Sequence, residues 1–180
     1  MITNLKEKDK ANFFVFIDRF WKKNHIFVKN NLLFDYQHKC ADGYSFLISK
    51  NQNEINSILG FIPSESTGKY LWLAIWKSKS KRGIDGIALL FNLLKRKPLF
   101  IGVIGISIEA KNIYKGLKWE SGQLSHYYLS VNNKSKLRVF NNNHNEFFLF
   151  SSEHKFKKNQ NWSLPKKDKN YLQKRYLEHP

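Results

Sequence analysis

The sequence predicts a mixed α/β fold, and three observations carry that expectation. Tyr70–Val131 reads in the order strand, loop, helix, strand, helix, strand, which sets helices between strands of one sheet. Hydrophobic residues make up 42% of the 180 and aromatics 16%, enough for a packed core and far above the content of a disordered basic tail. No apolar run approaches the ~18 residues of a membrane span, and the longest, Leu99–Ile108, is interrupted by Gly102 and Gly105.

The elements follow in order. Phe13–Trp21 sets Phe13, Phe16, Ile17, Phe20 and Trp21 at helical spacing, so a helix is expected there. Ile26–Val28 and Leu32–Phe34 are short β-prone segments, with Lys29-Asn30-Asn31 as the turn between them. Tyr44–Ser49 and Ile55–Ile62 flank the polar turn Asn51-Gln52-Asn53 and predict a hairpin. Pro63–Lys69 is loop. Tyr70–Trp76 is a strand whose alternation would put Tyr70, Trp72, Ala74 and Trp76 on one face and Leu71, Leu73 and Ile75 on the other. Both sets are apolar, which predicts a strand buried in the sheet centre. A basic, glycine-containing loop, Lys77–Gly86, leads into a helix over Ile87–Lys95, and Pro98 marks its exit. Leu99–Ile106 is a second buried strand. Ser107 is a fitting N-cap for a helix running to about Leu117, and Gln123–Val131 is a final strand. Asparagine-rich breakers then surround short strands at Leu137–Phe140 and Phe147–Ser151, and Asp168–Leu177 has a helical pattern.

Lys and Arg total 31 against 14 Asp and Glu, a formal net charge of +17. Of those 31, 26 are Lys and only 5 are Arg, and the chain also holds 19 Asn. Bidentate recognition of bases and phosphates favours Arg, and no zinc-finger, RNP-type or helix-turn-helix pattern is present, which argues against a nucleic-acid partner. The charge reads chiefly as solvated surface. It leaves room for a nucleotide cofactor, an acidic glycan or peripheral association with an anionic membrane. A single cysteine, Cys40, rules out an internal disulfide and a multi-cysteine zinc site. With the polar stretch Met1–Lys10, it predicts a reducing cytoplasm. Cys40 reads as passive despite its neighbours His38 and Lys39. No metal is expected.

The densest chemical signal is Lys81-Arg82-Gly83-Ile84-Asp85-Gly86-Ile87-Ala88 after the strand Tyr70–Trp76. First-turn helix N–H groups lack partners and point along the dipole, and glycines let a phosphate come close. With Lys79, Lys81 and Arg82 beside them, the segment is a candidate pyrophosphate cradle; its plainer reading is a tight turn. It resembles motif A of the GNAT superfamily of N-acyltransferases, an R/Q-x-x-G-x-G/A loop fed by a central strand. Gly86 and Ala88 match the last two small positions, while Gly83 stands where Arg or Gln is usual. Ser107–Trp119 resembles motif B of the same family, with Ala110, Tyr114, Leu117 and Trp119 in place, Ser107 for Asn and Lys118 for Gly. The resemblance implies a mostly antiparallel central sheet flanked by helices, whose strands Tyr70–Trp76 and Leu99–Ile106 splay apart. The gap would admit the pantetheine arm of acetyl-CoA or another acyl-CoA. Ala74, Ile75, Trp76, Lys81, Arg82, Gly83, Gly86, Ile87 and Ala88 would contact the cofactor, and Tyr114 would protonate the departing thiolate.

A narrower resemblance runs from Phe13 to Val131, through Phe20-Trp21, His25-Ile26, Gln37-His38, Leu59-Gly60-Phe61-Ile62-Pro63, Leu73-Ala74-Ile75-Trp76 and His126-Tyr127-Tyr128. It is similar to GNAT-type acyltransferases associated with bacterial surface-polysaccharide gene clusters. The stretch Leu164-Pro165-Lys166-Lys167 to His179-Pro180 resembles the start of a second GNAT-like half in that group. The resemblance thus implies one GNAT-like domain at 1–131, then a linker with short strands and the opening of a truncated second half at 132–180. It also implies an amine-bearing small molecule, an amino sugar or a sugar nucleotide, as acceptor.

Acylation of an amine needs a base for its proton, a polarised thioester carbonyl and a proton for the thiolate. Tyr70–Trp76 contains no acid, so the base is water or comes from elsewhere. His126, between Ser125 and Tyr127, titrates near neutrality and is the first candidate; His38 is the second and Glu65 the third. Each has a plainer reading as a core-edge or surface residue. Two other readings stay open: a GNAT-like scaffold that binds a polyanion without catalysis, and a half that is inactive alone.

Overall fold

The polar turn at Asn51–Asn53 closes the hairpin as expected, with Gln52 at φ 53°. Its strands, β4 (Phe46–Asn51) and β5 (Glu54–Pro63), form the middle of a five-stranded sheet. The computed structural model describes residues 1–122, 127–132, 136–141, 147–150, 171 and 173. The chain order is β1 (Ile2–Asn4), a 3-10 turn (Glu7–Asp9), α1 (Lys10–Phe16), a π-helical turn (Ile17–Trp21), α2 (Ile26–Lys29) and α3 (Asn31–His38). A two-residue ribbon, β2 (Lys39–Cys40) with β3 (Gly43–Tyr44), precedes β4 and β5. Then come β6 (Tyr70–Ser78), α4 (Ile84–Leu94), β7 (Phe100–Val103), α5 (Ile108–Gly116), β8 (Tyr127–Asn132), β9 (Lys136–Asn141) and β10 (Phe147–Phe150). Two compact units result, Met1–Gly105 with Trp162–Pro180, and Ile106–Asn161.

In the first unit the strand order is β1-β4-β5-β6-β7, antiparallel except for the parallel pair β6–β7. One face carries an aromatic core. Phe46 touches Phe13 (ring centroids 4.7 Å), His38 (4.6 Å) and Phe34 (6.0 Å), and Phe34 stacks on Tyr44 at 4.9 Å. Ile48, Ile58 and Ile75 complete this cluster from the sheet. On β4, β5 and β6 also packs α4, whose Leu89, Leu90 and Leu93 are fully buried.

Several expectations change. The two short β-prone segments are helices, α2 and α3. His25 Nδ1 accepts the N–H of Phe27 (3.2 Å) and Asn30 Oδ1 that of Leu33 (3.0 Å), so His25 and Asn30, the latter expected in a turn, act as helix caps. Burial of Phe27, Phe34 and His38 against the aromatic core then fixes the helices, since short apolar runs do not separate helix from strand by pattern alone. The expected helix Phe13–Trp21 widens into a π-turn after Phe16, with Lys22 N–H bonded to the Ile17 carbonyl five residues back. Asp18 Oδ1 accepts from Asn24 N–H (2.6 Å) and folds the chain back there.

The main departure lies in β6. Leu59 pairs with Trp76 and Phe61 with Leu73, so two steps along β5 face three along β6. The extra residue is a bulge at Ala74–Ile75, opposite Gly60, and it breaks the expected alternation. Paired residues share a face, so Trp76 joins Leu73 and Leu71 on one side. Ile75 joins Phe46 and Ile58 on the other. The expected two-sided burial also fails: Leu71, Leu73 and Ile75 are buried, Tyr70 and Trp72 are half-buried and Ala74 is exposed. Gly60 leaves room for Phe46, because a Cβ there would come within 2.6 Å of the ring.

In the second unit, Ser107 Oγ accepts the N–H of Ala110 (3.3 Å) and starts α5, as its sequence position predicts. Strands β8, β9 and β10 form an antiparallel sheet in the order β10-β9-β8. Of the expected strand Gln123–Val131, residues 123–126 lie outside the described set. So does the expected helix Asp168–Leu177, apart from Tyr171 and Gln173, which are helical. Among the described residues no helix is long and apolar enough to cross a membrane.

Gly60→Ala forces the Phe46 ring out of its site, and overpacking of this kind costs about 1–3 kcal/mol. Thermal melting will show a lower Tm for the variant. Its loss will be partly relieved in Gly60→Ala/Phe46→Leu, where the ring is gone.

Candidate active site

The site is built where β6 and β7 part. They pair in parallel from Tyr70–Phe100 to Leu73–Val103 and no further. Beyond Leu73, β6 continues as Ala74–Ser78 with β5 as its neighbour. The bulge lies at the point where pairing with β7 stops, and it increases the local twist of β6. On the other side, β7 ends at Val103, shorter than the expected Leu99–Ile106, and Gly105 turns the chain away at φ 71°. Past Leu73 no described strand pairs with β6 on its β7 side. Backbone N–H and C=O groups on such an edge can bind the amides of an extended ligand by strand addition.

The loop after β6 carries the second part. Helix α4 starts at Ile84, three residues before the expected Ile87, because Gly83 at φ 67° takes the left-handed position ahead of it. First-turn N–H groups of Ile84, Asp85 and Gly86 have no partner inside the helix, while Ile87 N–H bonds the Gly83 carbonyl (3.0 Å). Lys81 and Arg82 are exposed immediately before this turn, and Asp85 stands within it. Gly86 is buried, and a Cβ there would come within 2.9 Å of Ser78 Oγ and 3.0 Å of Trp76 Nε1. Trp76 Nε1 donates to the Gly86 carbonyl (3.0 Å), clamping the start of α4 to β6. Gly86 thus serves close helix–strand approach, as well as bringing its N–H to the helix start. Ile87 and Ala88 follow half-buried. The Oγ of Ser78 is buried with no hydrogen-bond partner among the described residues. The Lys79 N–H bonds the Asn56 carbonyl (2.8 Å) and its ammonium pairs with Glu54, which anchors the loop to β5.

The acid–base candidates are dispersed. His38 is fully enclosed by Phe27, Phe34 and Phe46, with Nδ1 2.9 Å from Ser45 Oγ. It is a core histidine in the first unit, and its packing closes it to a substrate. Glu65 is buried in the turn before β6. Its Oε2 accepts the N–H of Thr67 (2.6 Å) and its Oε1 those of Lys69 (2.7 Å) and Tyr70 (3.2 Å). Burial opposes its ionisation, but these bonds and the Thr67 side chain outweigh burial and hold its carboxyl below the usual range. That makes it a loop anchor and a poor proton acceptor. His126 lies outside the described residues. Tyr114, in α5 of the second unit, is buried and stacks on Trp119 (4.9 Å, interplanar 4°). Burial pushes its hydroxyl up to about 12. Cys40 is exposed and donates from Sγ to the His38 carbonyl.

Sequence reasoning missed the bulge, the early start of α4 and the Trp76–Gly86 clamp. The available signal was Gly60 inside an otherwise apolar strand, which marks a bulge or a close approach.

Glu65→Gln replaces one acceptor oxygen by an NH2 that faces backbone donors, so at neutral pH it will cost about 1–3 kcal/mol of stability. Because the native carboxyl is held low, the Glu65 contribution is complete above the unfolded value near 4.5 and fades as pH falls through the folded one. Melting curves of wild type and variant will therefore converge in acid.

No family model and no curated protein matches the sequence. Solved structures match the fold. An aminoglycoside acetyltransferase from an uncultured soil metagenomic sample superposes with a TM-score of 0.51 at 17% identity, covering 73% of this chain and 98% of its own. Ribosomal-protein-alanine N-acetyltransferase from Brucella melitensis biovar Abortus superposes with a TM-score of 0.52 at 13% identity, covering 73% and 99%. The mixed α/β architecture of this chain, a mostly antiparallel central sheet flanked by helices, matches the fold of these two acetyltransferases.

Proposed function

We propose that this protein is an acyl-CoA-dependent N-acyltransferase that passes an acetyl or similar acyl group directly to an amino group. The observation that carries the proposal is the parting of β6 from β7 at the bulge, next to the N-terminus of α4. A strand edge that no described strand pairs with suits the amides of pantetheine. First-turn N–H groups with Lys81 and Arg82 suit its pyrophosphate. In the reaction the amine nitrogen attacks the thioester carbonyl; the C–N bond forms, the C–S bond breaks, and one proton passes from the amine to the thiolate through a base, water included. Backbone N–H groups near Ala74–Trp76 are the proposed polarisers of the carbonyl.

Tyr114 is the proposed partner of the leaving thiolate. With its hydroxyl at about 12 it keeps its proton at neutral pH. It acts best as a hydrogen-bond donor, since a thiol is the stronger acid and full transfer would run uphill. His126 is the proposed base. The buried position of His38 and the low carboxyl of Glu65 argue against those two. The sequence resemblance supports an amino sugar of a surface polysaccharide, or its nucleotide-linked form, as acceptor. It also supports a second GNAT-like half opening within 132–180, while the single cysteine and the polar stretch Met1–Lys10 support a cytoplasmic site of action.

Acetyl-CoA will raise the melting temperature progressively with concentration, as a ligand of the native state must; saturation at a hundred times Kd corresponds to about 2.7 kcal/mol. Lys81→Glu/Arg82→Glu will weaken that shift. No shift with any acyl-CoA, together with salt-sensitive retention on heparin, would replace the enzyme by a polyanion-binding scaffold. Tyr114→Phe will lower turnover and leave the acetyl-CoA shift near wild type; unchanged turnover removes Tyr114 from the chemistry.

A further inference from the structure

The π-turn and the elements around it present an apolar, basic surface. Phe14, Val15, Phe20, Trp21 and Val28 line an apolar groove of about 670 Å³ along the end of α1 and the start of α2. Arg19, Lys22 and Lys23 line the same groove. The acid among its lining residues, Asp18, accepts the Asn24 N–H, so its charge is tied into the turn. Large apolar side chains stand in water here: Val15 is 62% exposed and Trp21 44%, and Ile26 (50%) and Leu32 (74%) continue the pattern in α2 and α3. From Val15 to Leu32 the chain carries Arg19, Lys22, Lys23 and Lys29 against Asp18 alone.

We propose that this face docks on an anionic lipid surface, with Trp21 and Val15 entering the headgroup boundary and Arg19, Lys22 and Lys23 meeting the lipid phosphates. Two features select a lipid surface over other polyanions. Exposed aliphatic side chains gain nothing from a nucleic acid or an acidic glycan, but they are transferred out of water at a bilayer. An exposed tryptophan beside lysines is the pairing that suits the interface, where the indole sits at headgroup level and the ammonium groups meet negative charge. The net charge of +17 adds long-range attraction, while the groove fixes the orientation.

The test is co-sedimentation of the whole chain with vesicles of phosphatidylcholine alone or with 30% phosphatidylglycerol (about one anionic lipid in three, enough to set a surface potential). Binding is expected to the mixed vesicles only. Val15→Ser/Trp21→Ser leaves the net charge unchanged and will reduce partitioning by about tenfold or more. Lys22→Glu/Lys23→Glu will do the same, and at about fivefold per charge it will exceed the effect of the charge-matched Lys95→Glu/Lys97→Glu. Quenching by brominated lipid will be weaker in Trp21→Phe than in wild type. Circular dichroism melting confirms that each variant is folded. Equal partitioning of the serine variant, or equal effects of the two lysine pairs, would reduce the binding to diffuse charge and overturn the proposal. A self-association abolished by Val15→Ser/Trp21→Ser, without vesicle binding, would assign the face to a second copy and overturn it as well. Acetyl-CoA shifts, measured on the same variants, will stay at wild-type values, which separates this outcome from any failure of the acyltransferase reading.

Discussion

One extra residue in β6 organises the first unit. The bulge at Ala74–Ile75 changes which side chains face which layer. Before it, Leu71 and Leu73 lie on the face that Trp76 shares after it. Ile75 alone turns to the aromatic cluster. The same distortion coincides with the end of pairing to β7, so the sheet opens beside its own core. A regular β6 would keep one face for Leu71, Leu73 and Ile75, and would direct Trp76 away from the start of α4. The clamp from Trp76 Nε1 to the Gly86 carbonyl depends on the bulge having reversed that direction.

Glycines mark the places where backbone or rings must come close. Gly60 admits the Phe46 ring opposite the bulge, and Gly86 admits Trp76 and Ser78 under the first turn of α4. Gly83 serves differently: its surroundings are open, and its positive φ is what the chain requires. Together they put the helix start, with its N–H groups, against the end of the strand whose edge is open. Neither feature makes an anion site alone; their juxtaposition within one unit gives the candidate site its chemistry.

Much of this was legible in the sequence. The hairpin, β6, α4, the Ser107 cap of α5 and the short strands at β9 and β10 follow from alternation, helical spacing and breakers. The segments Ile26–Val28 and Leu32–Phe34 were not legible as helices. Three apolar residues in a row suit either structure, and the caps from His25 and Asn30 count only once the helices have a core to lie on. Among the site residues, the loop glycines were visible by their type. His38 and Glu65 carried side chains suited to catalysis, but residue type does not report enclosure. His38 is ringed by phenylalanines that come from α2, α3 and β4, and Glu65 is bound by three N–H groups of its own turn.

By itself the sequence determined the class of fold, the order of its central elements and the basic, glycine-bearing loop after the central strand. These rest on local pattern: periodicity, capping residues and the special backbone freedom of glycine. Only the tertiary structure decided the bulge, the parting of β6 from β7, the clamp on Gly86 and which polar residues are enclosed. The reason is that each depends on what lies opposite in space. A bulge is defined by the count of residues on a partner strand, and burial is defined by side chains far away in the sequence.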